Sequence, residues 1–200
     1  MTTGPSLFVE APADVDRHFV VYGISWETYG AMRASFDESQ PGLRMTYLEG
    51  TLELMSPSRE HEKIKTLLGR LLEAWAEESG VELQGAGSTT FRKQAVARGL
   101  EPDECYSLDD IGEVPDIAIE VVTSHALVDK LEVYRGLAIP EVWVFKAGAL
   151  TVYRLRGERY QAGDRSVLLP TLDLALLASF VRADAKQTAT VKKYRAALRG

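Results

Sequence analysis

The sequence predicts a mixed α/β fold in which one central sheet carries helices on both faces, built in the order helix, three strands, helix, strand. Three observations support this. Residues 58–79 hold Ile64, Leu67, Leu68, Leu71, Leu72 and Trp75 at three- and four-residue spacing, the buried stripe of a long helix. Asp116 to Val122 is a short apolar run of β character. A second helical pattern follows it, and Glu141 to Phe145 then reads as another strand.

Residues 1 to about 24 show little periodicity and are expected to form an arm or an edge segment. Ser25 caps a short amphipathic helix with Trp26, Tyr29, Met32 and Phe36 on one side, ended by Gln40-Pro41-Gly42. Met45 to Met55 reads as two strands turning at Glu49-Gly50. Ser56-Pro57-Ser58 opens the long helix and Gly80 stops it. Core strands are expected at Glu82 to Gln94, Asp103 to Leu108 and Asp116 to Val122. Thr123-Ser124 signals a helix with Leu127, Leu131, Tyr134 and Ala138 as its stripe; His125 is read as a cap residue there. Glu141 to Phe145 and Ala149 to Leu155 pair through Ala147-Gly148, and residues 158–169 extend the β-rich end. Leu172-Asp173-Leu174 leads into a short helix. Ala185 to Leu198 is a terminal helix with few apolar residues, which needs a partner surface such as a second subunit.

Two hundred residues without a linker or repeat are read as a single domain spanning 1–200, with an arm and helix in 1–44, the core in 45–155 and a C-terminal extension in 156–200. No apolar run approaches the ~20 residues of a membrane span. The N-terminus lacks a basic head followed by an apolar stretch, so no secretory leader is expected. One cysteine excludes an internal disulfide and fits a cytoplasmic location. Cys105 is read as a packing residue. A net charge of −6 argues against tight non-specific nucleic-acid binding. Local basic groups, Arg92-Lys93 with Arg98 or Lys186 with Lys192-Lys193, Arg195 and Arg199, can still contact phosphates. There is no phosphate loop, nucleophile elbow or zinc-spaced Cys/His set.

The chemistry concentrates in Pro102-Asp103-Glu104-Cys105-Tyr106, in Pro115-Asp116-Ile117-Ala118-Ile119-Glu120-Val121-Val122, and in Lys130. Setting Asp103 opposite Glu120 in an antiparallel hairpin centres the turn between Ile111 and Gly112, within a polar, glycine-bearing stretch. Opposed residues have Cβ atoms only ~5 Å apart, so both carboxylates can grip one divalent cation. Asp116 and Glu120 share a strand face but stand roughly 13 Å apart, too far to share an ion. Asp116 is therefore read as the residue that starts the strand.

Glu120 lies in the middle of an apolar strand and needs compensation, from a metal or from a structural Lys or Arg. Lys130 lies about 60° off the expected helical stripe, where it either reaches over the sheet end or snorkels to solvent. His61, in the first turn of the long helix, either serves a hydrated metal or phosphate or bonds its own backbone.

These residues resemble the PD-(D/E)XK nuclease superfamily, in which one strand carries an Asp and the next an acid followed two positions later by a Lys. Asp103 and Glu120 match the acids, and position 122 is Val. The chain is more specifically similar to the Uma-type branch, bacterial proteins described as restriction endonucleases. There the lysine sits on the following helix, and Lys130 in Asp129-Lys130-Leu131-Glu132-Val133-Tyr134 matches it. The similarity runs from about Met45 to Phe145 and includes Glu49-Gly50-Thr51-Leu52-Glu53-Leu54-Met55-Ser56-Pro57, His61-Glu62, Gly87-Ser88-Thr89-Thr90-Phe91 and Ile139-Pro140-Glu141-Val142-Trp143. It implies a restriction-endonuclease-like αβββαβ core, with an added N-terminal helix and hairpin and a C-terminal helix. It also implies an acid from the first core helix, for which Glu62 is the candidate with Glu53 behind it.

The expected activity is Mg²⁺-dependent hydrolysis of phosphodiester bonds in DNA. Asp103, Glu120 and the Val121 carbonyl would hold Mg²⁺ or Mn²⁺, with Lys130 as the catalytic cation. Glu62, His61 and Glu53 are possible supporting residues, and a homodimer is the simplest way to cut two strands. Two alternatives stand beside this reading: an inactive nuclease-like module that binds nucleic acid or protein, and a phosphodiesterase for RNA or nucleotides.

Overall fold

The computed structural model describes residues 15–39, 42–110, 112–123 and 128–200. In chain order these form β1 (Arg17–Tyr22), α1 (Trp26–Ser39), β2 (Arg44–Leu48), β3 (Thr51–Ser56), α2 (Arg59–Ser79), β4 (Gln84–Gly85), β5 (Phe91–Lys93), a 3₁₀ turn, and β6 (Arg98–Leu100). There follow β7 (Glu104–Ser107), β8 (Ile117–Val122), α3 (Lys130–Leu137), β9 (Glu141–Lys146), β10 (Ala149–Arg156), β11 (Arg159–Gly163), α4 (Leu174–Ser179) and α5 (Gln187–Leu198).

The architecture is mixed α/β as expected, but two sheets replace the single one. Five strands run in the order β1-β3-β2-β6-β5, and six in the order β11-β10-β9-β8-β7-β4. The division originates at Glu82 to Gln94, expected as one strand. Gly85 belongs to β4, the chain turns at Gly87 with φ +57°, and Phe91 then joins the other sheet as β5. Glycine tolerates that positive φ without steric cost. The hairpin β2–β3, expected as an appendage, thereby becomes the centre of a second sheet.

Within the six-stranded sheet, β8 pairs antiparallel with β7 and parallel with β9. The β7–β8 register is Glu104↔Ile119, Cys105↔Ala118 and Tyr106↔Ile117, the one that sets Asp103 opposite Glu120. Asp103 continues the ladder by donating its N–H to the Ile119 carbonyl at 3.1 Å. Ile111, at the expected turn, lies outside the described residues.

Side-chain alternation along β8 divides the core. Ile117, Ile119 and Val121 pack under α2, α4 and α5 with Leu67, Leu71 and Trp143. Ala118 faces the opposite side, where Val133, Tyr134 and Leu137 of α3 fill the space up to Phe91 and Leu100 of the five-stranded sheet. Each such large apolar side chain contributes about 1.5–3 kcal/mol on burial. α2 begins and ends where the sequence predicts: the Ser58 hydroxyl accepts from the His61 N–H, and Gly80 closes the helix in the left-handed conformation.

Two helices depart from expectation. α3 starts at Lys130 behind an Asp129 cap, one to two turns later than Thr123-Ser124 suggested. Its buried residues are Val133, Tyr134 and Leu137, and Ala138 is the exposed, left-handed C-cap. His125 and Leu127 lie outside the described residues. α5 finds its partner surface on α2 of the same chain: Tyr194 is fully buried, and Arg195 and Arg199 pair with Glu78. The helix therefore needs no second subunit for burial. Among the described residues, no helix is long and apolar enough to cross a membrane.

Candidate active site

The candidate site lies where β7, β8, α2 and α3 meet, at the C-terminal end of β8. Asp103 and Glu120 are each only 2% exposed. Asp103 Oδ2 accepts the Val121 N–H at 2.7 Å, and Oδ1 lies 3.0 Å from His61 Nε2. Glu120 Oε2 lies 2.6 Å from Lys130 Nζ, and Oε1 accepts the Tyr134 hydroxyl. The late start of α3 makes this possible. Lys130 and Tyr134 are four residues apart on one helical face, so both reach Glu120. Lys130 is partly exposed, at the border of the buried stripe as expected, and from there it reaches Glu120.

The two carboxylates titrate in opposite directions. Burial works to raise Asp103, but the His61 and Lys130 charges and the Val121 N–H outweigh it and hold the carboxyl below its usual range. For Glu120 burial wins, reinforced by the Asp103 charge and only partly offset by Lys130 and Tyr134, so its pKa is raised. Burial opposes the charge of Lys130, yet Glu120 and Asp103 keep its pKa raised. The same balance, with Asp103 and Asp16 as partners, raises His61.

His61 is fully buried, with Nδ1 3.2 Å from Asp16 Oδ2 and Nε2 facing Asp103. It neither caps its own backbone through its ring nor lies open to a ligand. Glu53 is 1% exposed, bonded to His18 Nδ1 at 2.6 Å and to the Val128 N–H at 3.1 Å, and its charge acts on Lys130. Glu62 points outward and pairs with Lys65 at 2.8 Å, with Arg44 3.9 Å away. Asp116 accepts the Leu108 N–H at 2.9 Å, a structural role at the far end of the hairpin. The Cys105 thiol is buried against the Gly87 carbonyl, and burial pushes its pKa up to about 11, as befits a packing residue.

Two participants were missed at the level of sequence. Tyr134 lies on the expected core stripe and is buried there, but its bond to Glu120 is foreshadowed only by its four-residue spacing from Lys130. Asp16 lies in a stretch without periodicity, and nothing local marks it.

The residues present fit a hard divalent cation. Carboxylate oxygens keep acceptor capacity beyond a single hydrogen bond, and Asp103 and Glu120 supply two carboxylates from opposed strand positions. Among the described residues, no group of three or more His, Cys, Asp or Glu converges on one metal position.

A groove of about 740 Å³ lies at the C-terminal ends of β8 and β9; its walls include Asp16, Thr123, Ile64, Phe145 and the exposed Lys146 but not Asp103, Glu120 or Lys130. No curated protein matches the chain. A family model does, over residues 26–183, and its description is Uma2, "Putative restriction endonuclease". By that match across most of its length, the chain belongs to the Uma2 family.

Proposed function

We propose that this protein is a Mg²⁺-dependent endonuclease that hydrolyses phosphodiester bonds in DNA, with a restriction-endonuclease-like core formed by α2, β4, β7, β8, α3 and β9. The observation that carries the reading is the opposition of Asp103 and Glu120 across β7 and β8, with Lys130 Nζ 2.6 Å from Glu120. The family description supports it independently.

In this reading Asp103, Glu120 and the Val121 carbonyl hold the ion, Mg²⁺ or Mn²⁺. When bound, the ion supplies Lewis acidity toward the scissile phosphate. Lys130 orients the attacking water or neutralises charge developing on the phosphate oxygens. Tyr134 holds Glu120 in the rotamer that presents it to Asp103. The groove at the ends of the parallel strands β8 and β9 is where open α/β sheets commonly receive ligands, and it would take nucleotides flanking the cut.

A second reading has one observation in its favour. All four oxygens of Asp103 and Glu120 already face protein partners, an arrangement that also suits an inactive nuclease-like module binding nucleic acid or protein.

Titration of Mg²⁺ and Mn²⁺ into wild type and Asp103→Ala, with plasmid and oligonucleotide cleavage on the same samples, separates the two. The nuclease reading expects binding and cleavage in wild type and loss of both in Asp103→Ala and Glu120→Ala. Metal-dependent cleavage that persists in either variant overturns the assignment of that residue. A wild type that binds no metal, with nucleic acid present, favours the inactive module.

A further inference from the structure

Asp16 precedes the family-matched residues, yet it is 8% exposed and bonded to three parts of the site. Its Oδ1 accepts the Ser58 N–H at 2.8 Å, at the cap of α2. Its Oδ2 faces His61 Nδ1 at 3.2 Å and accepts the hydroxyl of Thr123, just past the end of β8. The partner on Nδ1 fixes how an imidazole presents Nε2. Here Nε2 meets Asp103 Oδ1 at 3.0 Å, while the Val121 N–H holds the other oxygen. Asp103 is therefore flanked on two sides, by a hydrogen bond from the Val121 N–H and by ion-pair contact with the His61 ring, whose other nitrogen is bonded to Asp16.

We propose that Asp16 is a positioning residue: through His61 it sets the orientation of the Asp103 carboxylate, so that a segment outside the family-matched residues completes the site. The kinetic consequence rests on the nuclease reading, whereas the orientation of the ring does not. Outer-shell partners that orient the ligands of a metal site typically change activity or metal affinity by about 10–100-fold when removed.

The test uses the full chain with ¹⁵N-labelled histidine, and Asp16→Asn as the near-isosteric variant. The chain has three histidines, so His61→Gln assigns the His61 ring signal by difference. Wild type should show a low-field, slowly exchanging Nδ1–H proton that is shifted or lost in Asp16→Asn. Cleavage with Mg²⁺ should show kcat lowered by about 10–100-fold with KM for DNA changed by less than about twofold, a split that general destabilisation would not produce. If Asp16→Asn does not fold, Thr123→Val, which removes one bond to the same oxygen, should move both readouts in the same direction by less. A His61 ring signal unchanged in the folded variant, or an unchanged kcat, overturns the proposal. If wild type cleaves no nucleic acid, the nuclease reading fails by itself, and the ring signal alone decides: its loss in the variant supports the orientation by Asp16, and its persistence overturns it.

Discussion

The two faces of β8 use adjacent residues of one strand for opposite purposes. Ile117, Ile119 and Val121 are sealed under α2 among apolar side chains. One position along, Glu120 is buried just as deeply, beside Lys130, Tyr134 and Asp103. Depth of burial therefore does not distinguish core from site. The difference lies in what compensates the buried group: the apolar face gains free energy from leaving water, while the other face carries charge that its neighbours must balance. The first face should respond to volume and the second to charge and pH.

The largest effect should come from Lys130→Met, which leaves Glu120 buried without its counter-charge at a cost of about 3–5 kcal/mol. Burial already raises the folded pKa of Glu120, and losing Lys130 raises it further. A raised carboxyl contributes stability below its unfolded pKa and loses it as pH rises through the folded one. Urea denaturation should therefore show the variant's deficit growing from pH 5 to pH 8. A deficit independent of pH would mean that Glu120 is not the group left unpaired.

Ile119→Ala on the other face should cost about 2–5 kcal/mol from lost burial and the cavity left behind. That loss should be nearly the same at both pH values, and metal-dependent cleavage at low temperature should be retained. Abolished cleavage in a folded Ile119→Ala protein would break the contrast, because it would couple the apolar face to the site.

Glu104 offers the smallest and sharpest test. It follows Asp103 but points toward the α2 side, near Gly69 and Tyr106, where burial pushes its pKa up to about 7. Its contribution to stability is present below the usual carboxylate range and lost as pH rises toward 7. Glu104→Gln should flatten the fall in stability between about pH 4.5 and about pH 7, as read from melting temperature. Because the residue is only partly buried, the gain at neutral pH should be modest. An unchanged slope would place the titration elsewhere.

How much was legible in the sequence follows from the range of each interaction. The β7–β8 register could be read because setting Asp103 opposite Glu120 centres the connection in a polar, glycine-bearing stretch, and that register is the observed one. α2 was legible from its stripe, its Ser58 cap and Gly80. The phase of α3 was not, because Asp129 rather than Thr123-Ser124 caps it, and two competing caps differ by little free energy. The second sheet was hidden for a related reason: Gly87 marks a turn, but no local signal says which sheet the next strand will join.

The sequence by itself determined the mixed α/β class, the hairpin that opposes Asp103 to Glu120, the long helix bearing His61, and the resemblance to the family. These depend on periodicity, capping and turn chemistry, which act over a few residues. Only the tertiary structure decided that Lys130 and Tyr134 both reach Glu120, that α5 rests on α2, and that Asp16 anchors His61 from forty-five residues away in the chain. Such contacts form when separate apolar faces pack together and bring distant polar groups into one low-dielectric space, where each buried charge must find a partner.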